Sequence, residues 1–352
     1  MPSSGASPSC TPRPPTNSAP DQAPVRLAGL YALERLAHST AEHRQTIVDV
    51  ICAYLRMPYT PPQPSPSALG RSYRSPGPAR RRRARTLTDR PPHTTPTSRE
   101  SRQEQAQQEQ QVRLTAQNIL VRNLRIRAQR RRWWHRTPPP AAPVWPGIRL
   151  DLAGALLLNN FFLEGCQLDS ADFGRARFTD TARFRKAEFI DTTYFGDAEF
   201  TDLAIFSGAQ FTDWADFADT KFADEAYFEG TQFATDAIFT GAEFAGRADF
   251  CGARFTDALF VDTKFADKAY FLNVQFADKA YFLNVQFADK ASFKGAQFTG
   301  GADFEGTRVA SAAEPGSVWP PGWTTRPARP DNGEDPAFLY LTKVTDGNPP
   351  DT

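Results

Sequence analysis

A mainly β fold, a solenoid over residues 146–308 preceded by a small α-helical region and disordered linkers, is predicted by three features of this sequence. From Ala171 to Thr307 one short pattern recurs (ADFGRARFTDT, ARFRKAEFIDT, TYFGDAEFTDL, AIFSGAQFTDW and onward). Phe stands at alternating steps of five and six, and 25 of the 28 Phe lie on this ladder. Two residues before each Phe stands a small residue, usually Ala, sometimes Thr or Val. A fixed short period is the mark of a solenoid, in which each unit buries its apolar face only against its neighbours.

The core ladder comprises Phe173, Phe178, Phe184, Phe189, Phe195, Phe200, Phe206, Phe211, Phe217, Phe222, Phe228, Phe233, Phe239, Phe244, Phe250 and Phe255, and continues to Phe304. On a helix these steps would send Phe to two stripes roughly 140° apart, and the Gly, Thr and Asp of each unit are poor helix formers. A β-solenoid instead puts Phe and the small residue inside and polar residues at corners. Asp180, Asp191, Asp202, Asp213, Gly208 and Gly230, two residues after Phe, suit corners because Asp and Gly accept turn geometry. The sixth residue of every second unit (Thr181, Thr192, Leu203, Trp214, Glu225, Asp236, Arg247) varies freely, which reads as an exposed corner bulge. Two such pairs make about 22 residues per coil and about seven coils, a rod of about 34 Å at strand spacing. Asp257 joins Ala258 without the extra residue, so one corner shifts.

These residues resemble the pentapeptide-repeat family, whose A-(D/N)-(L/F)-x-x pattern is matched literally at Ala171-Asp172-Phe173, Ala215-Asp216-Phe217, Ala248-Asp249-Phe250 and Ala302-Asp303-Phe304. The resemblance implies a right-handed quadrilateral β-helix with four sides per coil. It also implies one known activity: some members resemble B-DNA in width and charge and bind DNA gyrase in its place, giving quinolone tolerance.

Before the repeats, residues 1–24 are rich in Ser, Pro and Thr and read as disordered. Residues 25–57 carry helical spacing (Val25, Ala28, Leu30, Leu33, Leu36, then Ile47, Val48, Ile51, Tyr54, Leu55), which predicts a helical hairpin. Ser39 and Glu42 read as a capping box for its second helix, and Pro58 as its end. The hairpin is similar to HEAT-like hairpins at the front of actinobacterial and cyanobacterial pentapeptide-repeat proteins. A lone hairpin cannot bury its apolar face, so it packs on another element or pairs with a copy of itself in a homodimer. His38 and His43 read as surface residues.

Residues 58–97 are a Pro- and Arg-rich linker by composition, with a basic arm at Arg80, Arg81, Arg82, Arg83 and Arg85. Residues 98–135 predict a third helix, opened by Thr97 and Glu100, whose Val112, Ala116, Ile119, Leu120 and Leu124 form a stripe that should dock on the hairpin or the first coil. Leu replaces Phe where the chain enters the stack at Ile148–Gln167. Residues 309–352 read as a cap and loose tail: Trp319 and Trp323 cover the last coil, and one apolar scrap follows (Phe338–Leu341).

Charge is divided along the chain. Residues 1–149 hold 24 Lys and Arg against 8 Asp and Glu, and residues 150–308 hold 14 against 26. The basic arm reads first as a solvated linker, with nucleic acid or an anionic membrane surface as its alternative partners. A DNA mimic 34 Å long would need about 20 negative charges, since duplex DNA carries one per about 1.7 Å. The net −12 here falls short, and Lys268, Lys279 and Lys290 each follow a corner Asp.

The stronger candidate surface is the residue before each first-type Phe. Tyr194, Ile238, Leu259 and Tyr281 should line one side, and Ile205, Tyr227 and Tyr270 another, forming faces for an unidentified protein partner. The repeat region has no His, no Ser/His/Asp set and no phosphate-cradling loop, so the sequence predicts no enzyme and no cofactor or metal. Four unpaired Cys, no signal peptide and no long apolar run predict a reduced, cytoplasmic protein.

Overall fold

The computed structural model describes residues 22–62, 98–127 and 142–344. Cys10, the basic arm (Arg80–Arg83, Arg85) and Thr97 lie outside them.

Residues 149–310 wind as a parallel solenoid of about seven turns, each side of the coil adding one short strand per turn. In Ala182-Arg183-Phe184 the strand alternation points Ala182 and Phe184 inward and Arg183 outward, and every unit repeats this. Strands pair in register with the coils above and below, as in Glu188↔Gln210 and Ala204↔Ala226.

Inside, the rings form four columns. Successive rings of a column stack with centroids 4.5–5.2 Å apart, as for Phe178–Phe200 and Phe255–Phe276. That spacing is the strand separation: the backbone ladder sets the ring distance. Phe173, Phe195 and Phe217 face the column of Phe184, Phe206 and Phe228 on the opposite side of the coil edge-on, 5.3–5.6 Å apart. Such edge contacts contribute about 0.5–1.5 kcal/mol beyond area burial. All ladder rings are buried except Phe298, which is half-buried near the end of the stack. Thr220 and Thr231, which replace the inward Ala, donate their hydroxyls to carbonyls of the previous coil (Phe195, 2.8 Å; Phe206, 2.9 Å), whereas Thr193 donates within its own coil to Asp191 O (3.3 Å).

The corners are of two kinds, and the Asp and Gly that the sequence grouped together are divided between them. After first-type Phe the chain makes a tight turn: Ala176 N–H donates to Phe173 O (2.9 Å) and Arg175 lies at φ +57°. Positive φ at the third residue defines a type II turn and favours Gly or Asn. Gly208 and Gly230 sit there, with Asp197, Asp219 and Asn273. Asp180, Asp191, Asp202 and Asp213 belong to the wider six-residue corners, whose φ is ordinary; Asp202 and Asp224 there accept from the next amide. The sixth residue itself is half-buried at Thr181, Thr192, Leu203, Glu225 and Arg247, contrary to the exposed bulge expected, because it stacks on its counterparts in adjacent coils. The missing residue at Asp257 straightens its corner. Gln232–Ile238 and Arg254–Leu259 run through it as continuous strands, with the register shifting between Phe233 and Asp236.

Helices α1 (Gln22–Ser39), α2 (Arg44–Arg56) and α3 (Ser98–Leu124) close the upper end. The stripe Val112, Ala116, Ile119, Leu120 and Leu124 is fully buried, in one core with the hairpin and the first coils. Arg113 of α3 donates to the open carbonyls of Leu55 (3.0 Å) and Met57 (2.7 Å), satisfying the end of α2. α1 is tied to α3 through the buried Glu34, which accepts from Arg122 (2.6 Å) and Asn123 (2.7 Å).

Three further expectations are corrected. Ser39 makes no capping box: its hydroxyl donates back to Leu36 O (2.9 Å) at the end of α1, and Ala41–His43 form a 3₁₀ turn before α2. α3 stops at Leu124 instead of reaching 135, since Arg125 bridges to Cys166 and Ile126–Arg127 pairs with Ala142–Pro143. The tail is not loose as far as Lys343. Phe338–Lys343 pairs antiparallel with both Arg308–Ala310 and Trp323–Pro327, adding a hairpin to the edge of the stack. Trp319 packs on Phe287 and Phe293, and Trp323 on Phe304.

Candidate functional site

Because only alternate residues face inward, each side of the rod displays one outward column, and the four columns differ in chemistry. The first, here the apolar side, reads Asp172, Tyr194, Asp216, Ile238, Leu259, Tyr281, Asp303. Next comes a charged side in which signs alternate: Arg177, Glu199, Lys221, Glu243, Lys264, Gln286, Arg308. Arg177 pairs with Glu199 at 3.5 Å and Lys264 with Glu243 at 2.9 Å. The tyrosine side follows, with Phe162, Arg183, Ile205, Tyr227, Asp249, Tyr270, Ser292. The fourth is mostly amide: Gln167, Glu188, Gln210, Gln232, Arg254, Gln275, Gln297. Carboxylates are thus concentrated at corners and do not form a uniformly acidic surface.

All seven candidate residues fall in two columns, Tyr194, Ile238, Leu259 and Tyr281 on the apolar side and Ile205, Tyr227 and Tyr270 on the tyrosine side. Tyr194 is exposed; the other six are half-buried by the stacking of their neighbours.

The tyrosine side is filled by the chain's own side chains, although the buried Nε of Arg247 has no hydrogen-bond partner among the described residues. Arg247, from the corner slot, lies over the rings of Tyr227 (5.6 Å) and Tyr270 (5.0 Å) and pairs with the buried carboxylate of Asp249. Asp249 also accepts from Cys251 N–H (3.0 Å), and Tyr227 donates its hydroxyl to Glu225. That bond first, then burial, pushes the Tyr227 phenol up to about 12. Burial, followed by the hydrogen bond with Asp249, pushes the Cys251 thiol to about 12. A shallow cleft of about 320 Å³ above this cluster is lined by Arg183, Arg185, Ile205, Tyr227 and Glu229.

The apolar side has no such filling. Tyr194 is 40% exposed and meets the edge of Trp214, 39% exposed, at 6.3 Å. Ile190, 43% exposed, lies on the adjoining corner, where Thr212 donates to its carbonyl. Sequence reasoning placed Trp214 among variable corner residues and passed over Ile190. The available signal was that Trp214 is the one Trp between residues 146 and 308. At the top of this side α2 touches the first coil, with Gln45 bonded to both backbone groups of Arg149 and Arg56 paired with Asp151. Gln45, Arg149 and Asp151, together with Thr192 and Tyr194, border a cleft of about 360 Å³.

Among the described residues, no helix is long and apolar enough to cross a membrane, and no group of three or more His, Cys, Asp or Glu is placed to hold a metal ion. His38 packs its ring against the buried Trp145 at 5.7 Å.

No curated protein and no solved structure matches the chain. The family model for pentapeptide repeats (9 copies) matches residues 173–221, 217–264 and 260–308 and does not extend to the helices. The Phe-centred solenoid over those residues is therefore a pentapeptide-repeat array.

Proposed function

We propose that this chain is a non-enzymatic protein-interaction scaffold whose solenoid is the docking rod. The carrying observation is the apolar side, where Tyr194, Ile238, Leu259 and Tyr281 align in register and Trp214 and Ile190 stand exposed beside them. Strand preference accounts for Tyr and Ile on a sheet. It does not account for a Trp at a solvent corner, and exposed Trp and Tyr are the residues that anchor protein interfaces. The helical hairpin, read as HEAT-like, serves as the rod's cap, and the free Cys52, Cys166 and Cys251 fit a reducing cytoplasm.

The test compares two variants of the full chain, Tyr194→Ser/Trp214→Ser/Tyr281→Ser and Tyr227→Ser/Tyr270→Ser, as baits in extract of the source cell. Loss of specific partners from the first bait only, with its β-type circular dichroism intact, is the expected result. Equal capture by wild type and the first variant would overturn the reading. A gyrase supercoiling assay separates the DNA-mimic alternative. The alternating charged side argues for no inhibition, and inhibition at low micromolar protein would favour mimicry.

A further inference from the structure

Several partly exposed aromatics elsewhere among the described residues lie under arginines of the chain itself. Arg183 lies 4.7 Å over Phe162, Arg308 4.6 Å over Phe338, Arg326 5.5 Å over Tyr340, and Arg247 serves both Tyr227 and Tyr270. Tyr194 and Trp214 meet each other, and no guanidinium among the described residues lies over either ring. The surrounding sequence explains why. Residues 187–220 contain no Lys or Arg and eight carboxylates. Of these, Asp191 and Asp213 occupy one corner in successive coils, with Thr192 donating to Asp213 at 3.2 Å.

We propose that this corner docks an arginine-rich extended segment of a partner protein. The inference rests on the scaffold reading and adds the chemistry of what binds. A guanidinium is planar and stacks on Trp or Tyr while donating to a carboxylate beside the ring. Here two rings and a stack of Asp lie within one coil spacing. Lysine matches the charge but not the planar fork, so the site should distinguish the two cations. Arginines at alternate positions of an extended chain recur about every 6.6 Å. One such side chain can lie on Trp214 while the next reaches the corner carboxylates.

The experiment measures fluorescence anisotropy of a labelled twelve-residue peptide alternating Arg and Ser, titrated with the full chain, beside its Lys–Ser counterpart. The Arg peptide should bind at least fivefold tighter than the Lys peptide. Tyr194→Ser/Trp214→Ser should weaken it at least tenfold, and Asp191→Asn/Asp213→Asn should do likewise, so a folding failure of one variant does not remove the test. Absence of binding, equal affinity for both peptides, or binding unchanged by both variants would overturn the proposal. Binding that appears only after Arg80–Arg83 and Arg85 are changed to Ser would also overturn it, because the chain's own arm would then be the occupant. Should Tyr194→Ser/Trp214→Ser/Tyr281→Ser lose cellular partners while the Arg peptide fails to bind, the scaffold reading stands and this inference falls.

Discussion

The apolar and tyrosine sides are the same pattern half a coil apart, and they have opposite surfaces. Both bury Ala and Phe inward and show one residue outward between them. On the tyrosine side one corner arginine organises that outer column: Arg247 stacks between Tyr227 and Tyr270 and closes on buried Asp249. On the apolar side the matching Asp216 is half-buried and, among the described residues, accepts only from Ala218 N–H (2.8 Å), and the aromatics beside it stay open. A repeat fold thus separates stability from recognition. The inward positions hold the rod, and a single residue in a variable slot decides whether a face is filled by the chain itself or stays open.

The largest expected effect tests whether the two sides are alike inside. Phe217 follows the apolar-side strand Ala215–Asp216 and Phe228 the tyrosine-side strand Ala226–Tyr227; both are fully buried and meet at 5.6 Å. Each change to Ala should cost about 3–5 kcal/mol, the usual loss for a buried Phe, and denaturant midpoints should agree within error. A clear gap between them would break the equivalence. The next test targets the outside. Asp249→Ala strands Arg247 over the rings and frees one amide, and removing one partner of a buried pair costs about 3–5 kcal/mol. The half-exposed Arg247 reduces this to about 2–3 kcal/mol. Asp216→Ala loses one capping hydrogen bond, about 1 kcal/mol. Equal losses would show that burial of Asp249 contributes nothing.

The fold was legible because its signal repeats. A Phe every five or six residues leaves one consistent register, and the register alone sorts the seven outward residues into their two columns. What stayed hidden depends on contacts between coils. Asp249 reads like Asp216 in the motif, and only the stacking of Arg247 above it, 33 residues beyond Trp214 in the same variable slot series, decides its burial. The two corner types share Asp or Gly after Phe and differ only in the sixth residue, so the pattern merged them. Ser39 and Glu42 matched a capping box that the 3₁₀ turn at Ala41 displaces. The tail escaped notice because Phe338–Lys343 has no repeat and finds its partner, Arg308–Ala310, only in the finished stack.

Acid should loosen the cap where α1 is fastened to α3. Burial raises the Glu34 carboxyl, but hydrogen bonds from Arg122 and Asn123 and the charges of Arg122 and His38 outweigh it, leaving the group below its usual range. A depressed folded value means that its stabilisation is complete above the unfolded carboxyl's pKa, about 4.3. It is lost as pH falls through the lower folded value. Hydrogen exchange in α1, corrected for intrinsic rates, should therefore accelerate below about pH 4 more than in the tyrosine-side strands. Glu34→Gln should abolish that difference. An unchanged pH profile in the variant would show that Glu34 does not fasten the cap.

The smallest expected effect discriminates most finely between the two faces. Tyr227→Ser/Tyr270→Ser removes both rings from Arg247, and each cation–π contact at a partly exposed site contributes about 0.5–1 kcal/mol, so the pair should lower stability by about 1–2 kcal/mol. Tyr194→Ser/Trp214→Ser removes two exposed rings that meet each other at 6.3 Å and lie under no guanidinium among the described residues, and surface changes of this kind stay within about 0.5 kcal/mol. Thermal unfolding of the two variants beside the wild type gives the comparison directly. If the apolar pair proved the more damaging, its aromatics would be structural, and their exposure would no longer argue for a partner. If the order holds, two tyrosines support the rod from outside, whereas Tyr194 and Trp214 add little to its stability, and their exposure continues to argue for the proposed docking role.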